Sequence, residues 1–131
     1  MFLGWGLDFI VAVDDDKQGR DVFNFLKKEI FGDDQTLATR QLLKLPSGSS
    51  IEEIFSASDF ASIVLSKKDA KITNGNAEYL KSNQISKPVT AFQFWLAVDA
   101  GKIELTSFDA QTTKNIKQTV TAISELLDAR N

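Results

Sequence analysis

Apolar and polar positions divide the chain into segments of different period. Phe9, Ile10, Val11, Ala12 and Val13 form an unbroken apolar run rich in β-branched residues, the composition of a strand buried on both faces. From Gly19 the rhythm changes. Val22, Phe23, Leu26, Lys27 and Ile30 recur at helical spacing, and "FGDD" supplies a glycine stop. "TLATRQLLKLP", residues 36–46, predicts a second strand ended by proline, and "SGSS" a loop, so the first unit reads as β-α-β. "SIEEIFSASDFASIVLS" has a cap at Ser50, acids in its first turn and a second cap-like serine, Ser58, which predicts one broken helix or two short ones. "KKDAKITNGNAEYLKSNQIS" is polar and reads as a loop with a helical turn at 77–80. Lys87 and Pro88 then open a helix with an apolar stripe through Val89, Phe92, Trp95 and Leu96, stopped by Gly101. Trp95 and the phenylalanines of this stripe are expected in the core. A last helix starts near Asp109 and puts Ile116, Val120, Ile123 and Leu127 on one face. The fold class is therefore α/β: a short parallel sheet with flanking helices, followed by carboxy-terminal helices.

Composition narrows this picture. With 131 residues, 43% of them hydrophobic, the chain suffices for one domain and is too short for two. It contains neither cysteine nor histidine. That excludes a disulfide framework and a thiolate site, argues against zinc, agrees with a reducing cytoplasm, and restricts any metal centre to oxygen ligands and hence to Mg²⁺, Mn²⁺ or Ca²⁺. No run of about eighteen apolar residues is present, and "MFLGWGLDF" lacks the basic flank and cleavage site of a signal, so neither a membrane span nor secretion is expected. A net charge of −3 opposes whole-surface affinity for nucleic acid, although Lys67, Lys68 and Lys71 form a local basic patch.

The candidate chemistry lies in "VAVDDDKQG", where Asp14, Asp15 and Asp16 follow the strand directly. One reading is structural: Asp16 caps the helix and its neighbours complement the macrodipole. The other is a cation site. Capping needs one acid, three in a row repel one another without a cation, and Gly19 lets the backbone approach something closely. The position, at the carboxyl end of a parallel strand, is where open α/β sheets hold ligands. Glu52 and Glu53 in "SIEEIF" read equally as exposed acids of a serine-capped helix. Lys87 sits at the positive end of a helix dipole, where a cation invites an anionic partner.

"VAVDDDKQG" resembles the Asp-x-Asp-x-x-Gly motif of Toprim domains, with Asp14, Asp16 and Gly19 in the motif positions. "LPSGSSIEEIFSASDF" resembles the acidic segment that follows in the Toprim half of overcoming-lysogenisation-defect (OLD) nucleases, and "SKPVTAFQFW" their lysine-bearing helix. The resemblance implies Asp14 and Asp16 as metal ligands and catalytic residues, Glu52 and Glu53 as acidic partners for a second ion, Lys87 as a phosphate-facing catalytic cation, and Gly19 as the backbone turn. It further implies Mg²⁺ or Mn²⁺ as cofactor and DNA as substrate, in an ATP-dependent endonuclease. Toprim domains carry a glutamate on an earlier strand that this sequence does not supply. The expectation is therefore an incomplete Toprim-like, Rossmann-like domain over residues 1–131, inactive alone. An ATPase or an amino-terminal Toprim chain is its expected partner. A homodimer is the other way to cover the open sheet edge and the apolar Phe2, Leu3, Trp5 and Leu7. Two further readings stay open. A receiver domain shares the acidic pair and the "SKPV" turn, but its phosphoacceptor would have to be Asp59, in a polar helical segment. The other is a catalytically dead interaction module.

Overall fold

The structure, a computed structural model, describes residues 9–32, 40–46 and 50–129. It falls into two compact units, Met1–Ser49 with Gln118–Asn131, and Ser50–Lys117. In the first unit, strand β1 (Val11–Val13) leads into helix α1 (Lys17–Phe25), which continues through a π-helical turn, Leu26–Ile30, and the chain returns as strand β2 (Leu42–Lys44). The two strands pair in parallel, with Val11 opposite Leu42 and Val13 opposite Lys44, as a β-α-β unit requires. Phe31 and Leu42 are buried at its centre, with Val11, Phe23 and Leu26 packed against them. Gly32 stands just beyond the π turn at φ +59°, the left-handed conformation expected of a glycine stop.

Both strands are shorter than the sequence pattern predicts. Phe9 and Ile10 precede β1, and Ala12 is exposed rather than buried. Side chains alternate across a strand, so a sheet that packs its Val11 face against α1 turns Ala12 outward. Arg40 and Gln41 are helical, which confines β2 to three residues; 36–39 and 47–49 lie outside the described residues, as do Phe2, Leu3, Trp5 and Leu7.

The second unit is helical. A 3₁₀ turn, Ile51–Ile54, is followed by helix α2 (Ala57–Asp59), which runs on as a π-helical turn, Phe60–Val64. Of the two patterns expected, one broken helix or two short ones, this is the second, but the second cap is Ser56, not Ser58: Ser56 has extended backbone and its hydroxyl accepts the Asp59 amide. Ser58 already lies inside the helix. The predicted turn at 77–80 is a full helix, α3 (Asn76–Ser82), and α4 (Lys87–Asp99) starts at Lys87 and Pro88 behind the cap Ser86, with Gly101 at φ +70° beyond its end. Helix α5 (Ala110–Asp128) begins in this unit after a 3₁₀ turn, Leu105–Ser107.

Two helices are rotated from the expected orientation. Val89, Phe92, Trp95 and Leu96 of α4 are exposed, Trp95 at 56%, while Thr90 is buried and Phe94 meets Phe55 edge to face at 5.4 Å. Apolar residues surround α4 on nearly every side, so periodicity alone selects no face, and the cluster of Phe55 with Phe60, Phe94 and Phe108 makes the choice. In α5, Ile116 and Ile123 of the expected face are half-buried, Val120 and Leu127 are exposed, and Thr112, Asn115 and Thr119 are buried. Asn115 donates to the Ile54 carbonyl at 3.0 Å, and the start of α5 is tied to that of α2. Ser56 Oγ donates to Asp109 Oδ2, the Ser56 amide to Thr112 Oγ1, and the Asp109 amide to Asp59 Oδ2. Each helix cap thus serves its own helix and its neighbour's. The Ser56 hydroxyl, followed by the Thr112 amide, holds the Asp109 carboxyl below its ordinary value. Among the described residues, no helix is long and apolar enough to cross a membrane.

Candidate functional site

The aspartates at the end of β1 have different local roles. Asp16 caps α1, its Oδ1 accepting the Gly19 amide at 2.6 Å. Asp15 turns outward to Arg20, with an ion pair of 3.3 Å between half-exposed side chains, a contact worth little in water. Asp14 and Asp16 both line an open hollow of about 360 Å³ beside Val13 and Gly19. A Cβ on Gly19 would lie 1.8 Å from the Asp14 carbonyl oxygen. The close approach inferred for this glycine is therefore to its own turn: the first turn of α1 folds back onto the Asp14 backbone and holds Asp14 and Asp16 beside one another.

In the second unit the adjacent glutamates diverge. Glu53 reaches the start of α3, where its Oε1 accepts the Ala77 amide at 3.0 Å. Glu52 turns the other way and meets Lys87 at the start of α4, with Nζ 3.0 Å from Oε1. The carboxylate is largely buried, at 12% exposure, and the ammonium is half exposed. Burial opposes ionisation of Glu52, but the nearby Ser50 hydroxyl, the Glu52 amide and Lys87 outweigh it, so its pKa is lowered. Ser50 Oγ and Glu52 Oε2 are nonetheless buried without a well-formed hydrogen bond. The 3₁₀ turn that carries Glu52 is held from behind by Asn76, 1% exposed, whose Nδ2 donates at 2.8 Å to both the Glu52 and the Phe55 carbonyls.

The structure thus brings Asp14 together with Asp16, and Glu52 together with Lys87. Among the described residues, no three acidic side chains converge as a ready-made metal cage. Asp59, the receiver candidate, is buried in α2 and accepts the Asp109 amide, a role that joins two helices. Asn76 and Asp109, which organise this region, were not legible as such: asparagine in "TNGN" signals a turn, and nothing local indicates a partner more than twenty residues away. No family profile, curated protein or solved structure matches the chain.

The Glu52–Lys87 pair carries a pH signature. A lowered carboxyl pKa contributes stability that is fully present above the ordinary value of 4.5 and is lost as pH falls through the lower folded value. Lys87→Met removes the countercharge beside a mostly buried carboxylate and is expected to cost about 1–2 kcal/mol at neutral pH. Urea denaturation of both proteins over a pH series is the check. The difference should be largest above pH 4.5 and shrink on acidification; a pH-independent difference would mean that lost packing, not charge, is responsible.

Proposed function

We propose that this chain is a Toprim-like module of a Mg²⁺- or Mn²⁺-dependent nuclease acting on DNA phosphodiesters, inactive alone and completed within an OLD-like, ATP-dependent assembly. The observation that carries the reading is the 3.0 Å contact between Glu52 and Lys87, residues far apart in sequence that the resemblance singles out independently. The position of Asp14 and Asp16 beyond the carboxyl end of a parallel strand supports it. The donors fit a hard cation, since all are carboxylate oxygens. A Mg²⁺ or Mn²⁺ ion held by these carboxylates would supply a lowered pKa for an attacking water and positive charge for the leaving oxygen. The protein's part is to hold the donors. Capping fixes Asp16 through one oxygen and the Gly19 turn keeps Asp14 beside it; Glu52 and Glu53, whose carboxylates point apart, would each offer a single acid to a second ion. Lys87, half exposed and at a helix start, is the phosphate-facing cation.

Calorimetric titration with Mn²⁺ tests the cation site. The native chain should give weak saturable heats that vanish in the Asp14→Ala, Asp16→Ala double variant, and equal heats from both would remove the reading. Plasmid cleavage should be absent or slight with the isolated chain; robust cleavage abolished by Asp14→Ala would show that the module needs no partner. The exposed face of Val89, Phe92, Trp95 and Leu96 favours, as a second reading, a module that acts by docking alone.

A further inference from the structure

The second unit holds a cavity of about 320 Å³, within the range of small-molecule sites. Phe60 and Leu80 are its most deeply buried lining residues, and Ile51 and Ala91, both exposed, mark its opening. Its surface is almost wholly apolar. Glu52, Lys87 and Thr90 also line it, but their polar atoms are engaged elsewhere. The Thr90 hydroxyl donates to the Ser86 carbonyl at 2.9 Å, Lys87 Nζ meets Glu52 Oε1 at 3.0 Å, and Glu52 Oε2 is sealed beside the Ser50 hydroxyl. These residues therefore lend the cavity carbon, and Lys87 lends its stem, which leaves the phosphate-facing role of the ammonium untouched. A water inside would find too few partners for the bonds it needs, so the cavity favours an occupant without polar atoms. Phenylalanines shape that occupant. Phe55 meets Phe94 edge to face at 5.4 Å and Phe60 at 6.2 Å with tilted rings, so rings of different orientation border the cavity and a guest ring can take the offset or edge-on contacts that aromatic pairs prefer. An apolar cavity of about 150 Å³ takes a benzene ring, which leaves room here for two fused rings.

We propose that this cavity binds a neutral bicyclic aromatic molecule, held by apolar and ring contacts with no hydrogen bond. The inference goes beyond the nuclease reading, needs no metal ion, and stands or falls separately from it. NMR titration in the presence of EDTA tests it with naphthalene and with quinoxaline, a molecule of the same shape whose ring nitrogens accept hydrogen bonds and stay uncharged at neutral pH. Naphthalene should bind saturably, with NOE contacts from its protons to the Leu80 methyl groups and the Phe60 ring. Quinoxaline should bind about tenfold more weakly or worse, because its nitrogens give up their bonds to water and meet no donor inside. The exposed face of α4, where Trp95 stacks on Phe92 at 5.9 Å, is the competing apolar surface. Trp95→Ala removes its largest ring and should leave naphthalene binding unchanged. Should Trp95→Ala fail to fold, the NOE pattern on the native chain decides by itself. The proposal is overturned if naphthalene does not bind, if its NOE contacts fall on Trp95 rather than Leu80, if its affinity is lost in folded Trp95→Ala, or if quinoxaline binds as tightly.

Discussion

Gly19→Ala is expected to destabilise the first unit by about 3 kcal/mol, at the upper end of ordinary single substitutions. The cause is steric. The new methyl would stand 1.8 Å from the Asp14 carbonyl oxygen and 2.7 Å from its carbon, and both are backbone atoms that cannot swing aside as a side-chain tip does. To relieve the clash, α1 must lift from the turn, which breaks the 2.6 Å bond between the Gly19 amide and Asp16 and disturbs the packing of Phe23 and Leu26 against Leu42. Gly32→Ala is the matched control. At φ +59° with open space around it, alanine there meets only the left-handed backbone penalty, about 1 kcal/mol. Amide hydrogen exchange at Leu45, which donates to Val13 across the sheet, reports this unit separately from the second. Equal loss of protection in the two variants would show that the close approach at Gly19 is not part of the folded turn.

Asn76→Ala is expected to cost the second unit about 3 kcal/mol. Its amide group satisfies the carbonyls of Glu52 and Phe55 together, each at 2.8 Å, and the side chain is almost wholly buried. Alanine leaves both carbonyls without that donor and a small void where the amide was. Since the 3₁₀ turn aims Glu52 at Lys87, the ion pair should loosen as well, seen as a Glu52 carboxyl titrating nearer its ordinary value by NMR. Asn76→Asp preserves volume but sets an acceptor against two acceptors, so it should be at least as damaging at neutral pH. The aspartate's folded pKa would be raised, because its charged form faces carbonyl oxygens, and stability should recover as pH falls and a proton supplies one donor. An Asn76→Asp protein as stable as the native one at neutral pH would show that the two hydrogen bonds contribute nothing.

What the sequence determined by itself was local. The β-α-β order, the stops at Gly32 and Gly101, the start of α4 at Lys87 and Pro88, and the presence of a break within the helical residues 51–64 each depend on groups a few positions apart, where backbone sterics and capping act directly. The cap at Asp16 was legible for the same reason, as one of the two roles open to it. The tertiary structure decided everything that turns on rotation or choice among equivalents. Helix α4 is apolar on so many sides that Phe94, not Trp95, faces inward only because Phe55 stands opposite. Thr112 and Asn115 of α5 are buried more deeply than Ile116 and Ile123 of the expected aliphatic face because their hydrogen bonds to Ser56 and Ile54 lock its rotation. Ser56 rather than Ser58 caps α2 because Asp109 is there to accept a hydrogen bond from its hydroxyl. Glu52 rather than Glu53 meets Lys87 because Asn76 and the start of α3 hold the two carboxylates in opposite directions. Each of these depends on a donor and an acceptor far apart along the chain, and the pattern of apolar and polar residues does not record which distant groups will meet.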